Sequence, residues 1–81
     1  MALIIRVNGS QQMIPKPSIQ DLQKAVAGWV EIIRVPFTGN KLMAVNEEGR
    51  LHSLPLNVSA STMALKEIVG DVVLCDPAEL D

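Results

Sequence analysis

Residues 28–57, GWVEIIRVPFTGNKLMAVNEEGRLHSLPLN, decide how this chain is read. Over Trp29–Val35, Trp29, Glu31, Ile33 and Val35 share one face of an extended segment, and Val30, Ile32 and Arg34 share the other. Both faces are largely apolar, which predicts a strand interior to a sheet or at a contact between copies. Pro36–Asn40 reads as a loop, and Lys41–Val45 returns as a second strand. Asn46-Glu47-Glu48-Gly49 is a turn pattern, with positive φ expected at the glycine. Arg50–Leu54 alternates weakly and reads as a third extended run, paired with residues 41–46 as a hairpin.

Upstream, Ser18 and Asp21 have the spacing of a short capping box. Ile19, Leu22, Ala25 and Val26 gather on one helical face, Gln20, Gln23 and Lys24 on the other, and Gly28 marks the stop. Before that helix, residues 2–7 (ALIIRV) are apolar and β-branched and read as a central strand. Asn8-Gly9 signals a hairpin to Gln11–Ile14, which Pro15 and Pro17 terminate. Downstream, Asn57 or Ser59 caps a second helix carrying Ala60, Met63, Ala64, Leu65 and Ile68, with Gly70 as its end. Asp71–Asp76 is the last strand, and Pro77–Asp81 an acidic tail.

The element order β-β-α-β-β-β-α-β predicts a small α+β domain: a mixed sheet of about five to six strands with two helices on one side. On element order alone a β-grasp topology is a candidate. A chain of 81 residues makes one domain, residues 1–81, with a thin core. With one Trp, one Phe and no Tyr, that core falls to Ile, Val, Leu, Met and Ala. Such a chain gains stability by pairing, so a homo-oligomer, first a dimer, is expected.

The net charge of -2 and the scattered basic residues argue against binding a nucleic acid polymer. No apolar run is long enough to span a membrane and no leader pattern is present, so a cytoplasmic protein is expected. Cys75 is the lone cysteine and sits in an apolar strand, where a small buried hydrophobe is the simplest reading. His52 is the lone histidine, without a nucleophile at motif spacing or a second histidine for zinc. Glu47-Glu48 diverge on a turn. We therefore expect no catalytic set, no metal site, no cofactor and no enzyme activity.

The residues open to a binding role are Trp29, Glu31, Arg34, Phe37, Arg6 and Arg50. Trp29 reads first as a packing residue between helix and sheet, and second as a stacking platform or interface anchor. Glu31 needs a cationic partner if its face is buried and none if it lies at the rim. Trp29 or Phe37 stacking a base, with two of the three arginines on phosphate, would make a nucleotide site.

The segments Gly28-Trp29-Val30-Glu31-Ile32, Val45-Asn46-Glu47-Glu48-Gly49, Leu54-Pro55-Leu56-Asn57 and Ile68-Val69-Gly70-Asp71-Val72-Val73-Leu74 together resemble domain of unknown function 3846. The resemblance spans about residues 22–75. Trp29 stands where tyrosine is commoner, and the loop Pro36–Asn40 replaces a tighter turn. The resemblance implies an accessory protein of a phage, prophage or plasmid in a bacterial cytoplasm, and no activity that can be assigned to particular residues. The expected function is binding: an anti-defence protein that sequesters a host nucleotide signal or inhibits a host defence protein. The alternative is a protein-interaction module or regulator with no small-molecule ligand.

Overall fold

The computed structural model describes residues 1–36 and 39–80. Strands β1 (Ala2–Ile5) and β2 (Gln11–Ile14) form a hairpin, followed by helix α1 (Ile19–Val26). Strands β3 (Val30–Arg34) and β4 (Leu42–Asn46), helix α2 (Val58–Ala64), strand β5 (Val72–Cys75) and a closing 3-10 turn, Pro77–Leu80, complete the chain. The α+β class expected from the sequence is the class observed. The sheet has the order β2-β1-β5-β4-β3, with each neighbouring pair antiparallel. It is therefore not the mixed sheet anticipated. Its β1–β5 pair runs antiparallel, where the first and last strands of a β-grasp run parallel.

The expected third strand of the central unit does not form. Both edges of β4 are already taken, one by β3 and one by β5, so Arg50–Leu54 cannot pair with β4 as expected. It winds instead: Gly49 N–H donates to Asn46 C=O (3.2 Å), His52 N–H to Glu48 C=O (3.1 Å) and Leu54 N–H to Gly49 C=O (3.0 Å). Gly49 also lacks the positive φ expected of it. Its requirement is close approach, since a Cβ there would lie 2.7 Å from Val69 Cγ2.

The helices cover opposite faces, not one side. Ala2, Ala44, Val73 and Cys75 pack with Leu22 of α1, with Ile4, Val30 and Leu42 at the margin. Ile5, Met43, Val45 and Val72 pack with Ala60 and Ala64 of α2 and with Ile68. Consecutive strand residues alternate between the two clusters, as the pleat requires. Because Leu42–Val45 of β4 and all of β5 are apolar on both faces, a single layer of helix leaves one side wet. The second cluster resolves this, and the core is aliphatic as composition dictates.

Ser18 caps α1 as predicted: its Oγ accepts from Asp21 N–H (3.1 Å), and Asp21 Oδ2 accepts from Ser18 N–H (2.9 Å). The left-handed residue ending α1 is Ala27 (φ 62°), not Gly28. Helix α2 likewise ends at a left-handed Leu65 (φ 56°), well before Gly70. Asn57, not Ser59, is the N-cap of α2. It is fully buried, and its amide is satisfied on both sides. Oδ1 accepts from Ala60 N–H (3.0 Å), and Nδ2 donates to the carbonyls of Ile5 (3.0 Å) and Gly70 (2.9 Å).

Candidate functional site

Strand β3 lies at the edge of the sheet, which overturns the interior place, one of the two expected for it, and is compatible with the other, a contact between copies. Its hydrogen-bonding phase follows from its ends. Glu47 N–H donates to Trp29 C=O (2.8 Å), and Val35 N–H donates to Lys41 C=O (3.1 Å). In an antiparallel ladder, odd-numbered residues of this strand therefore turn their N–H and C=O groups toward β4, and Val30, Ile32 and Arg34 turn theirs outward. The edge thus presents three residues' worth of backbone donors and acceptors in extended geometry.

Each face of this edge borders a groove. On the α2 face, a depression of about 290 Å³ is floored by Ile33, Val45 and Ile68, and Glu31, Glu47 and Glu48 line it. Arg50 also lines it, but its guanidinium is engaged by Glu67 at 3.2 Å. Glu48 lies 3.9 Å from His52, a pair that attracts only when the imidazole is protonated. Glu31 is exposed and has no ion pair among the described residues, which settles its sequence alternatives in favour of the solvated rim. The groove is acidic on balance.

On the α1 face, a second depression of about 220 Å³ is lined by Pro17, Ile19, Leu22, Val30, Ile32 and Leu80. Among the described residues none of its lining is charged. Ile19 (56 % exposed) and Ile32 (42 % exposed) leave much of their surface in water. Trp29 stands at the start of the same edge beside Gln23 and Gly28 and is 65 % exposed. It is a surface residue, and the packing role expected first for it is not the one observed.

The sequence-predicted residues are thus not gathered into one pocket. Glu31 and Arg50 share the acidic groove. Arg34 is exposed on the α1 face of β3. Arg6 lines a separate groove between β1, β2 and α1, at the far side of the sheet. Phe37 lies outside the described residues. Sequence reasoning missed Ile19, Ile32 and Glu47, although charges on both faces of one strand, Glu31 and Arg34, were a sign of an edge.

Cys75 is 1 % exposed within the α1-side cluster, and burial pushes its thiol pKa up, with Glu79 and Asp76 adding to the effect. A thiol held neutral and enclosed is a poor nucleophile. The His52 side chain is 60 % exposed on the winding segment 47–53, while Cys75 is enclosed. Among the described residues no three His, Cys, Asp or Glu side chains converge as metal ligands, and no helix is long and apolar enough to cross a membrane.

A model of the family domain of unknown function 3846 matches residues 1–81. The chain belongs to that family. No curated protein and no solved structure matches it. In this DUF3846 chain the motifs behind the resemblance are architectural. Gly28 admits the Asn46 amide, Gly49 admits Val69, and the Leu-Pro-Leu-Asn segment delivers Asn57 to cap α2. Gly70 meets Leu54, and Asp71 Oδ1 accepts the Val7 N–H at 2.9 Å. The motif segments of this DUF3846 chain thus lock the layers together, and Glu31, Val45, Glu47, Glu48 and Ile68 of the same segments also line the acidic groove.

Proposed function

We propose that this chain is a small non-enzymatic binding protein that takes an extended segment of a partner polypeptide along the edge of β3. The observation that carries this reading is the outward phase of Val30, Ile32 and Arg34 between an acidic groove and an apolar one. An added strand sends alternate side chains to opposite faces. The segment that fits alternates basic residues, over Glu31, Glu47 and Glu48, with apolar residues, over Ile19, Ile32 and Leu80. In the setting implied by the family resemblance, the partner is a host protein and the binding an anti-defence or regulatory act.

A second copy of the chain fits this edge less well. Antiparallel neighbours face each other with side chains on the same face. Glu31 and Arg34 lie on opposite faces, so no such register sets Glu31 of one copy against Arg34 of another. Available registers leave both charges unpaired or place like charges opposite. The nucleotide-sequestering alternative has less support, because it needs arginines that converge near an aromatic ring, and Arg6, Arg34 and Arg50 point into three separate regions.

The test is a library of extended peptides, including an alternating Lys/Val series, titrated into the labelled protein. Binding should perturb and protect the amides of Val30, Ile32 and Arg34, and Ile32→Pro should remove it. Binding of none of the peptides, or occupation of the β3 edge by a second copy in solution, would overturn the reading.

A further inference from the structure

The groove at the far side of the sheet is larger than either flank of β3, at about 580 Å³, within the range of about 300–1,000 Å³ typical of small-molecule sites. Its floor is apolar: Ile4 of β1, Ile14 of β2 and Ala25 of α1. Its rim carries Arg6 and Lys24, together with Asp21 and Asp71. Asp21, Lys24 and Ala25 come from one side of α1 by their three- and four-residue spacing. Arg6 extends the α1 face of β1 beyond Ile4, and the register Ile4↔Gln12 brings Gln12 beside it.

The formal charges cancel, but their engagement does not. Both carboxylates already accept backbone donors: Asp21 from Ser18 N–H at 2.9 Å, and Asp71 from Val7 N–H at 2.9 Å. Neither cation lies within ion-pair distance of a carboxylate among the described residues, although Lys24 is near enough to Asp21 to help hold its carboxyl below the usual range. Arg6 donates only to a neutral acceptor, Gln12 Oε1, at 2.6 Å. That contact holds the guanidinium in place and leaves most of its five donors open. One cation held by Gln12 and a second, exposed one on α1, both with spare donors above an apolar floor, match a ligand with one anionic head and an apolar body.

We propose that the groove between the β1–β2 hairpin and α1 binds a small amphiphilic anion, a carboxylate or phosphate monoester, with Arg6 and Lys24 on the head and Ile4 and Ile14 under the body. This site is independent of the β3 edge, which lies across the sheet, and neither reading depends on the other.

The test is amide chemical-shift titration of the intact chain with hexanoate, hexyl phosphate, hexanol and inorganic phosphate at millimolar concentration. Saturable shifts at Ile4, Arg6, Gln12 and Lys24 with hexanoate or hexyl phosphate are expected, and the stronger of the two identifies the head group. The Arg6→Gln/Lys24→Gln variant should keep its spectrum and bind about tenfold more weakly. Lys24→Gln alone, on the exposed face of α1, gives a smaller weakening and guards against misfolding of the double variant. Equal binding of hexanol would overturn the role of the cations. Equal binding of inorganic phosphate would mean an adventitious ion only, and no saturable shift would overturn the site.

Discussion

Asn46 occupies the space in which Gly28 would carry a side chain. A Cβ on Gly28 would lie 2.8 Å from Asn46 Nδ2. The same amide nitrogen donates to Val26 C=O at 2.9 Å, and Asn46 Oδ1 accepts Glu48 N–H at 2.8 Å. One buried side chain thus ties the end of α1 to β4 and to the turn that follows. Gly28→Ala needs no unusual backbone angle, yet it must displace this amide. We expect a loss of about 1–3 kcal/mol in urea unfolding, with the slope unchanged. A loss below about 0.5 kcal/mol would mean that Asn46 moves freely.

Asn57 is placed for an amide and not for a carboxylate. Its two N–H groups meet the carbonyls of Ile5 and Gly70, and its oxygen meets Ala60 N–H. Asn57→Ala removes the cap of α2 and strands two buried carbonyls, at about 2–4 kcal/mol. Asn57→Asp retains the cap but aims a buried oxygen at two acceptors, so it should cost more than the alanine change. Thermal melts of the two variants give the order. A more stable aspartate would contradict the bonding described.

Glu79 gives the fold an acid-sensitive clasp. Its carboxylate accepts Asp76 N–H at 3.0 Å and lies 3.1 Å from the Met1 ammonium, and these partners hold its pKa below the ordinary 4.5, the backbone bond first. A depressed folded value means that the stabilisation is complete above the unfolded pKa and is lost as pH falls through the folded one. Asp21 acts in the same direction through Ser18. Melting temperature should fall as pH drops below about 4.5, and Glu79→Gln should flatten part of that decline. An unchanged acid profile in the variant would remove Glu79 from the account.

How far the sequence announces this structure follows from the reach of each signal. The capping box at Ser18, the β1–β2 hairpin and the apolar runs of β1 and β5 are local, and all are observed, although the two-residue turn expected at Asn8-Gly9 is a longer loop closed by Arg6 N–H on Ser10 C=O, with positive φ at Gly9 and not at Asn8. The strand expected over Arg50–Leu54 failed for a non-local reason: alternation shows that a segment tolerates extension, but only the sheet order shows whether an edge is free. The same applies to Trp29. Its size predicts burial, and its place at the start of an edge strand leaves it 65 % exposed. The grooves were least legible, since each is assembled from segments far apart in sequence, such as Ile19 with Ile32 and Leu80, or Arg6 with Lys24. Arginines chosen by type alone carry no information about whether they meet.

The phase of β3 makes its own prediction, separate from any partner. Proline at residue 32 removes an N–H that points away from β4, so no ladder bond is lost, and Glu31 before it is already extended. Proline at residue 33 removes an N–H that faces Met43 across the ladder. Ile32→Pro should therefore cost only about 1–2 kcal/mol, through its fixed φ and the lost half-exposed side chain. Ile33→Pro should cost about 3 kcal/mol or more and free the hairpin. Amide exchange distinguishes the two: the β4 amide of Met43 should stay protected in the first variant and open in the second. If both prolines are equally damaging, the outward phase is wrong, and with it the edge on which strand addition depends. If Ile32→Pro folds with Met43 protected, it separates loss of binding from loss of structure, and Ile32→Ala, which trims the same groove residue but keeps the outward N–H, separates the edge from the apolar groove that Ile32 lines.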